Sequence, residues 1–139
     1  MIEVTQKPIS PELVISKVKT NSSGCVATYV GLIRHYSQGK KVVSVEYEDA
    51  QGTAKDRLGE IAKEIRQKWQ VENVAICHRI GKLKVGDINL VVAVAAAHRR
   101  EGFAACQYAI DRFKEIMPTK KKETYTDGSI QVEGNAGQV

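Results

Sequence analysis

The 139 residues, 42% of them apolar, suffice for one compact domain, 1–139, with a real core, and a charged fraction of 27% excludes bulk disorder. Lysine and arginine outnumber aspartate and glutamate by 21 to 16, so the net charge of +5 predicts attraction to anions: nucleic acid, phosphorylated small molecules or acidic proteins. Aromatic residues, at 6%, are too sparse for a row of base-stacking platforms, which weighs against single-stranded nucleic acid.

Residues 2–6 suit a short first strand. Ser10-Pro11-Glu12 reads as a helix start: serine caps, proline fits the first helical position, and glutamate suits the positive end of the dipole. That helix should run to about Thr20, where Asn21-Ser22-Ser23-Gly24 stops it. Cys25 to Arg34 is β-branched and apolar and predicts a strand, His35 to Lys41 a polar loop, and Lys41 to Glu48 the next strand. Between Gly52 and Trp69, Ala54, Leu58, Ile61, Ile65 and Trp69 recur at steps of three and four, the pattern of an amphipathic helix. Val74 to Ile80 is a strand, and Gly81 to Asp87 a glycine-bounded turn region. Ile88 to Ala97, interrupted by Asn89, predicts a strand buried on both faces and is too short to span a bilayer. Arg99 to Met117 is a second long helix with Phe103, Cys106, Ile110, Phe113 and Met117 on one stripe, ended by Pro118. A lysine run and the turn signal Tyr125-Thr126-Asp127-Gly128 make a small tail hairpin. This order implies an α+β fold with helices packed on a largely antiparallel sheet.

The three cysteines, Cys25, Cys77 and Cys106, form no CxxC pair, which argues for a reducing compartment. The opening MIEVTQKPIS has no signal-peptide core, so a cytoplasmic protein is expected. Cys25 and Cys106 fall in apolar patterns and read as inert thiols. No zinc-site spacing, Walker loop, GxGxxG or GxSxG is present, so no metal and no cofactor is expected.

Four places carry candidate chemistry. Ala95-Ala96-Ala97-His98-Arg99-Arg100 ends a buried strand, adds cations and begins a helix at once. Cations oppose the dipole there, each by roughly 0.3–1 kcal/mol. A bound phosphate or carboxylate would reverse that sign; the alternative is two arginines snorkelling to solvent. Lys114 lies at the edge of the apolar stripe, where it either snorkels or points into a partly dry cleft as a better base or nucleophile. Lys120-Lys121-Lys122 is a solvated or phosphate-binding patch, from which strand alternation could aim one lysine inward. Arg34 ends an apolar strand and either caps the sheet or joins the same anion pocket. His78 and Arg79, at another strand end, favour a structural role.

Four segments, GCVATYVGLIRHYSQGKKVVSVEYE, HRIGKLKVGD, VAVAAAHRREGFAACQYAIDRFKEIMP and KKKETYTDGS, resemble in order and spacing the large, catalytic subunit of molybdopterin synthase over residues 2–129. The resemblance implies an α/β hammerhead fold and a homodimer within a heterotetramer. In that assembly each large subunit holds a small ubiquitin-like sulfur carrier whose C-terminal Gly-Gly bears a thiocarboxylate. It implies transfer of two sulfurs to cyclic pyranopterin monophosphate, a pterin phosphate, to give the dithiolene of molybdopterin. Carried over position by position, it assigns Arg34, His98 and Arg99 to substrate binding and Lys114 and Lys121 to catalysis. Two departures stand out: Lys120 where the family has tryptophan, and no tryptophan after the Asp127-Gly128 turn. The competing readings are a basic phosphate- or nucleic-acid-binding module without catalysis, and a scaffold that keeps the fold but not the activity.

Overall fold

A computed structural model describes residues 1–117 and 119–133. Twelve elements follow in chain order: β1 (Ile2–Thr5), α1 (Pro11–Val18), β2 (Cys25–Leu32), β3 (Tyr36–Ser37), β4 (Lys40–Glu48), α2 (Ala54–Lys68), β5 (Asn73–Arg79), β6 (Gly81–Lys84), β7 (Ile88–Ala96), α3 (Arg99–Ile116), β8 (Lys120–Tyr125) and β9 (Ile130–Glu133).

The first sheet has the order β1-β5-β7-β2, antiparallel except for the parallel β1–β5 pair. Strand β7 sits inside it and is buried on both faces, as its unbroken apolar run predicts. Val91, Ala93 and Ala95 pack with Val14 and Val18 of α1 on one face. Leu90, Val92 and Val94 join the other face, where Leu58, Ile61 and Ile65 of α2 and Ala105, Cys106 and Ala109 of α3 complete the main core. Helices α2 and α3 are tied above it: Tyr108 donates to Glu64 Oε1 at 2.6 Å, and Arg112 grips both oxygens of the same carboxylate at 2.9 and 3.2 Å.

The second sheet is built around β4, which pairs with β3, β6 and β8, while β9 extends β8 as the tail hairpin. Ile33, Val42, Val45, Leu83 and Tyr125 form its own small core.

Local chemistry explains the boundaries. Ser10 Oγ accepts from the Leu13 amide at 3.2 Å and Pro11 opens α1, a cap worth about 1 kcal/mol. That helix stops at Val18, short of Thr20, because the Thr20, Ser22 and Ser23 hydroxyls bond one another and the nearby backbone instead. Asp49 caps α2, accepting from the Thr53 and Ala54 amides at 3.2 and 3.3 Å. Two expected irregular stretches contain strands. Gln38 and Gly39 both have positive φ, 53° and 77°, which folds residues 36–41 into a tight hairpin. In the 81–87 turn region, Leu83 is buried between exposed Lys82 and Lys84, and that alternation lets β6 pair with β4. Phe103, expected on the core stripe of α3, is 65% exposed; Cys106 of that stripe is buried, and Gly102, Ala105 and Ala109 turn inward with it. Pro118, expected to end α3, lies outside the described residues, and Met117 is the C-cap.

Candidate active site

The two sheets meet at the end of α3, and a half-open cavity of about 720 Å³ lies along the seam. Arg34, Lys114 and Lys121 all line it. They come from separate stretches of chain, and each is placed by a different local rule.

Arg34 follows β2. Its neighbour Ile33 is buried, accepts from the Gly86 amide at 2.7 Å and donates to Asp87 O at 2.9 Å, so the arginine leaves a fixed backbone. Lys114 stands in the last turn of α3, where a cation is favoured by the helix dipole; Phe113 and Met117 beside it also wall the cavity. Lys121 is half-buried on β8, while Lys120 and Lys122 on either side are exposed. Strand alternation thus sends one lysine of three inward.

The ion pairs among the described residues engage Lys40, Arg57, Arg79 and Arg112, and none engages Arg34, Lys114 or Lys121. The cavity lining thus carries three cations that make no ion pair among the described residues, together with the carboxylates of Glu123 and Glu133.

His98 and Arg99 do not join this cavity within the chain. Both are exposed at the start of α3, and Arg99 is about 22 Å along the helix axis from Lys114, because the helix rises ~1.5 Å per residue. Of the five residues that the resemblance assigns, one chain therefore brings Arg34, Lys114 and Lys121 together and leaves His98 and Arg99 apart. His98 sits at the N-cap with no capping bond from its side chain, so cations crowd an uncapped helix start.

Three wall residues escaped the sequence reading. Glu123 is 4% exposed and accepts from Ser37 Oγ at 3.1 Å and from the Tyr125 hydroxyl at 3.2 Å. Tyr47 and Asn89 hydrogen-bond each other, Asn89 Nδ2 donating to the phenol oxygen at 3.1 Å. Burial pushes the Tyr47 phenol above its ordinary value, with Glu123 and Glu133 adding to the rise. Glu123 belongs to the KKKETYTDGS segment, and Asn89 is the one polar break in β7, so both left a mark in the sequence.

The cysteines offer no nucleophile. Burial pushes the Cys77 and Cys106 thiols up to about 11, and none of the three cysteines lines the cavity.

A family model described as MoaE protein matches residues 4–116. The chain belongs to the MoaE family. This MoaE chain is 40% identical over 126 residues to the molybdopterin synthase catalytic subunit of Bacillus subtilis, across 91% of its own length and 80% of that protein's. It is 36% identical over 129 residues to the protein of the same name from Homo sapiens, across 93% and 69%. The crystal structure of molybdopterin synthase from Staphylococcus aureus matches with a TM-score of 0.90 at 34% identity, covering 96% of this chain and 97% of that one. A protein–protein complex of subunits 1 and 2 of the molybdopterin-converting factor from Helicobacter pylori, 12% identical, shares the fold with a TM-score of 0.73 over 90% and 85%. The MoaE chain is thus an enzyme of molybdenum cofactor biosynthesis with the activity of a molybdopterin synthase catalytic subunit, a sulfurtransferase. The reading as a basic binding module without catalysis gives way to that finding.

Proposed function

We propose that sulfur transfer takes place in the 720 Å³ cavity, with Arg34 holding the phosphate of cyclic pyranopterin monophosphate and Lys114 and Lys121 serving the reacting atoms. The observation that carries this reading is the convergence of three cations, unpaired among the described residues, on one cavity whose volume suits a small ligand. A small ubiquitin-like partner inserts its Gly-Gly tail there, bearing a terminal thiocarboxylate; the family resemblance and the fold shared with a two-subunit complex support this. Catalysis in the cytoplasm fits the odd cysteine count and the lack, among the described residues, of any helix long and apolar enough to cross a membrane.

The chemistry divides into two steps, each run twice. The thiocarboxylate sulfur bonds to a side-chain carbon of the pterin while a carbon–oxygen bond breaks, and the departing oxygen needs a proton. Water then attacks the acyl carbon of the resulting thioester, leaving the sulfur on the pterin and a carboxylate on the partner. A lysine ammonium can supply the first proton and stabilise the oxyanion in the second step.

A homodimer gives His98 and Arg99 a place in this scheme. Strand β2 is the edge of the first sheet, and Val30, Leu32 and Phe103 are exposed beside it. Its first residue, Cys25, pairs with Ala96 next to the start of α3, and its last, Leu32, lines the cavity. Two β2 edges paired antiparallel about a two-fold axis bring the α3 start of each copy to the other's cavity.

The test is a reconstituted assay with the pterin phosphate and the thiocarboxylated partner, following dithiolene product. Lys114→Ala and Lys121→Ala should each lower turnover by about a hundredfold or more, with circular dichroism and Tm close to wild type. Normal turnover in both variants removes the proposal.

A further inference from the structure

The cavity wall holds a hydrogen-bond donor that the lysine chemistry does not use. Strand β7 bulges at its entrance: Gly31 pairs with Leu90 and Leu32 with Ile88, so Asn89 has no partner across on β2. Bulges re-aim side chains beside functional sites, and this one turns the Asn89 carboxamide onto the phenol of Tyr47. Gly31 makes room for it, since a Cβ there would stand 2.8 Å from Asn89 Oδ1.

The same bulge fixes the ring behind. His78 is wholly buried, and its Nδ1 lies 2.9 Å from the Asn89 carbonyl. A carbonyl only accepts, so Nδ1 carries the hydrogen, and burial, which lowers the pKa, favours the neutral imidazole. His78 meets Tyr47 edge-on at 5.0 Å and Phe113 edge-on at 5.0 Å, so the phenol ring is braced between strand and helix. Across β4, β8 and β9, Tyr47 pairs with Lys121 and Lys121 with Glu133, and all three line the cavity. Directly opposite neighbours on a sheet stand about 5 Å apart at Cβ.

Proton accounting gives Tyr47 its role. Its oxygen accepts from Asn89 Nδ2, and among the described residues the phenol makes no other hydrogen bond. The remaining hydrogen is therefore available to a ligand in the cavity. The phenol stays protonated at neutral pH, since burial raises its pKa.

On the strength of the sulfur-transfer reading above, we propose that Tyr47 is a further catalytic residue. Held by Asn89, it donates a hydrogen bond, beside Lys121, to the oxyanion formed when water attacks the thioester between partner and pterin. Asn89 is its positioning residue. In that step the acyl carbon gains a bond to water oxygen, its carbonyl oxygen takes the negative charge, and the Tyr47 hydroxyl meets that charge without giving up its proton. Collapse breaks the acyl carbon–sulfur bond: the sulfur leaves with the electron pair as the pterin thiolate, and the proton lost by the attacking water passes to the lysine amine left neutral by the first step.

The experiment compares Tyr47→Phe, which keeps the ring, with wild type in the reconstituted assay. The expected result is a fall in kcat of about a hundredfold, the cost of removing one oxyanion donor. KM for the pterin should stay within about twofold of wild type, and a partner–pterin thioester should accumulate by mass spectrometry. Asn89→Asp is the second variant: its carboxylate turns the phenol hydrogen away from the cavity and should depress kcat while Tyr47 remains. If Tyr47→Phe fails to fold, Asn89→Asp decides. Unchanged kcat, or a rise in KM alone without thioester build-up, overturns the assignment. No product from wild type is a separate failure: it removes the sulfur-transfer site itself, and this inference with it.

Discussion

Whether each cavity draws on two chains can be decided by complementation. Arg99 and Lys121 cannot serve one cavity in a single chain, since about 22 Å of helix separates Arg99 from Lys114 at the cavity rim. Arg99→Ala alone should lower kcat/KM by roughly ten- to a hundredfold, the loss of a charge-assisted hydrogen bond of about 1.5–3 kcal/mol. Lys121→Ala alone should be at least as damaging. Mixed and allowed to exchange subunits, the two impaired proteins form mixed dimers. In one cavity of each mixed dimer, the Lys121 of the Arg99→Ala chain meets the Arg99 of the Lys121→Ala chain, and nothing is missing. Random exchange of equal amounts makes half the dimers mixed, so about a quarter of all cavities, and about a quarter of wild-type activity, should return. The assay is dithiolene formation before and after exchange at fixed total protein. Activity that stays at the level of the separate variants, with exchange confirmed by mass spectrometry, would refute the two-chain cavity.

Two further predictions concern stability and the thiols. Hydrogen bonds from Arg112, then Tyr108, hold the Glu64 carboxyl below the usual value of 4.5, so its contribution is full above the unfolded value and is lost as pH falls through the lowered folded one. Urea midpoints measured from neutral pH into acid should therefore fall less steeply for Glu64→Gln than for wild type, and parallel curves would contradict the assigned cause. With the Cys77 and Cys106 thiols near 11 and buried, and Cys25 only half-buried, a thiol reagent should label native protein mainly at Cys25 and all three cysteines after denaturation. Rapid native labelling of Cys106 would count against the inert-thiol assignment.

The parts of the fold that depend on local rules were legible in the sequence. The β7 run, the stripe of α2, the Ser10-Pro11 start of α1 and the tail hairpin each carry their own signal within a few residues. Strands β3 and β6 did not, because a two-residue strand and a four-residue one with two lysines look polar until a partner strand is known. The separation into two sheets is equally non-local: β4 has three partners, drawn from before β4, after β5 and after α3. The same division runs through the site. Alternation predicts that one lysine of the 120–122 run turns inward and the resemblance picks Lys121, but Tyr47 meets Lys121 only through the β4–β8 register, and Asn89 reaches Tyr47 only because β7 bulges against β2.

No cysteine lines the cavity, and its three cations hold places set by the fold. The cations arise just past a strand end, in the last turn of a helix and on an alternating strand. In the proposed reaction the sulfur arrives on a partner's tail, so geometric precision must come from the receiving side. A cavity preorganised in this way needs no reactive thiol of its own, and a buried one near its wall would compete for the thioester. Burial of Cys77 and Cys106 in the apolar core, with pKa values near 11, keeps both thiols from that side reaction. The charge pattern that first suggested a general anion-binding surface thus becomes specific only where backbone register and helix ends aim three of its members at one volume.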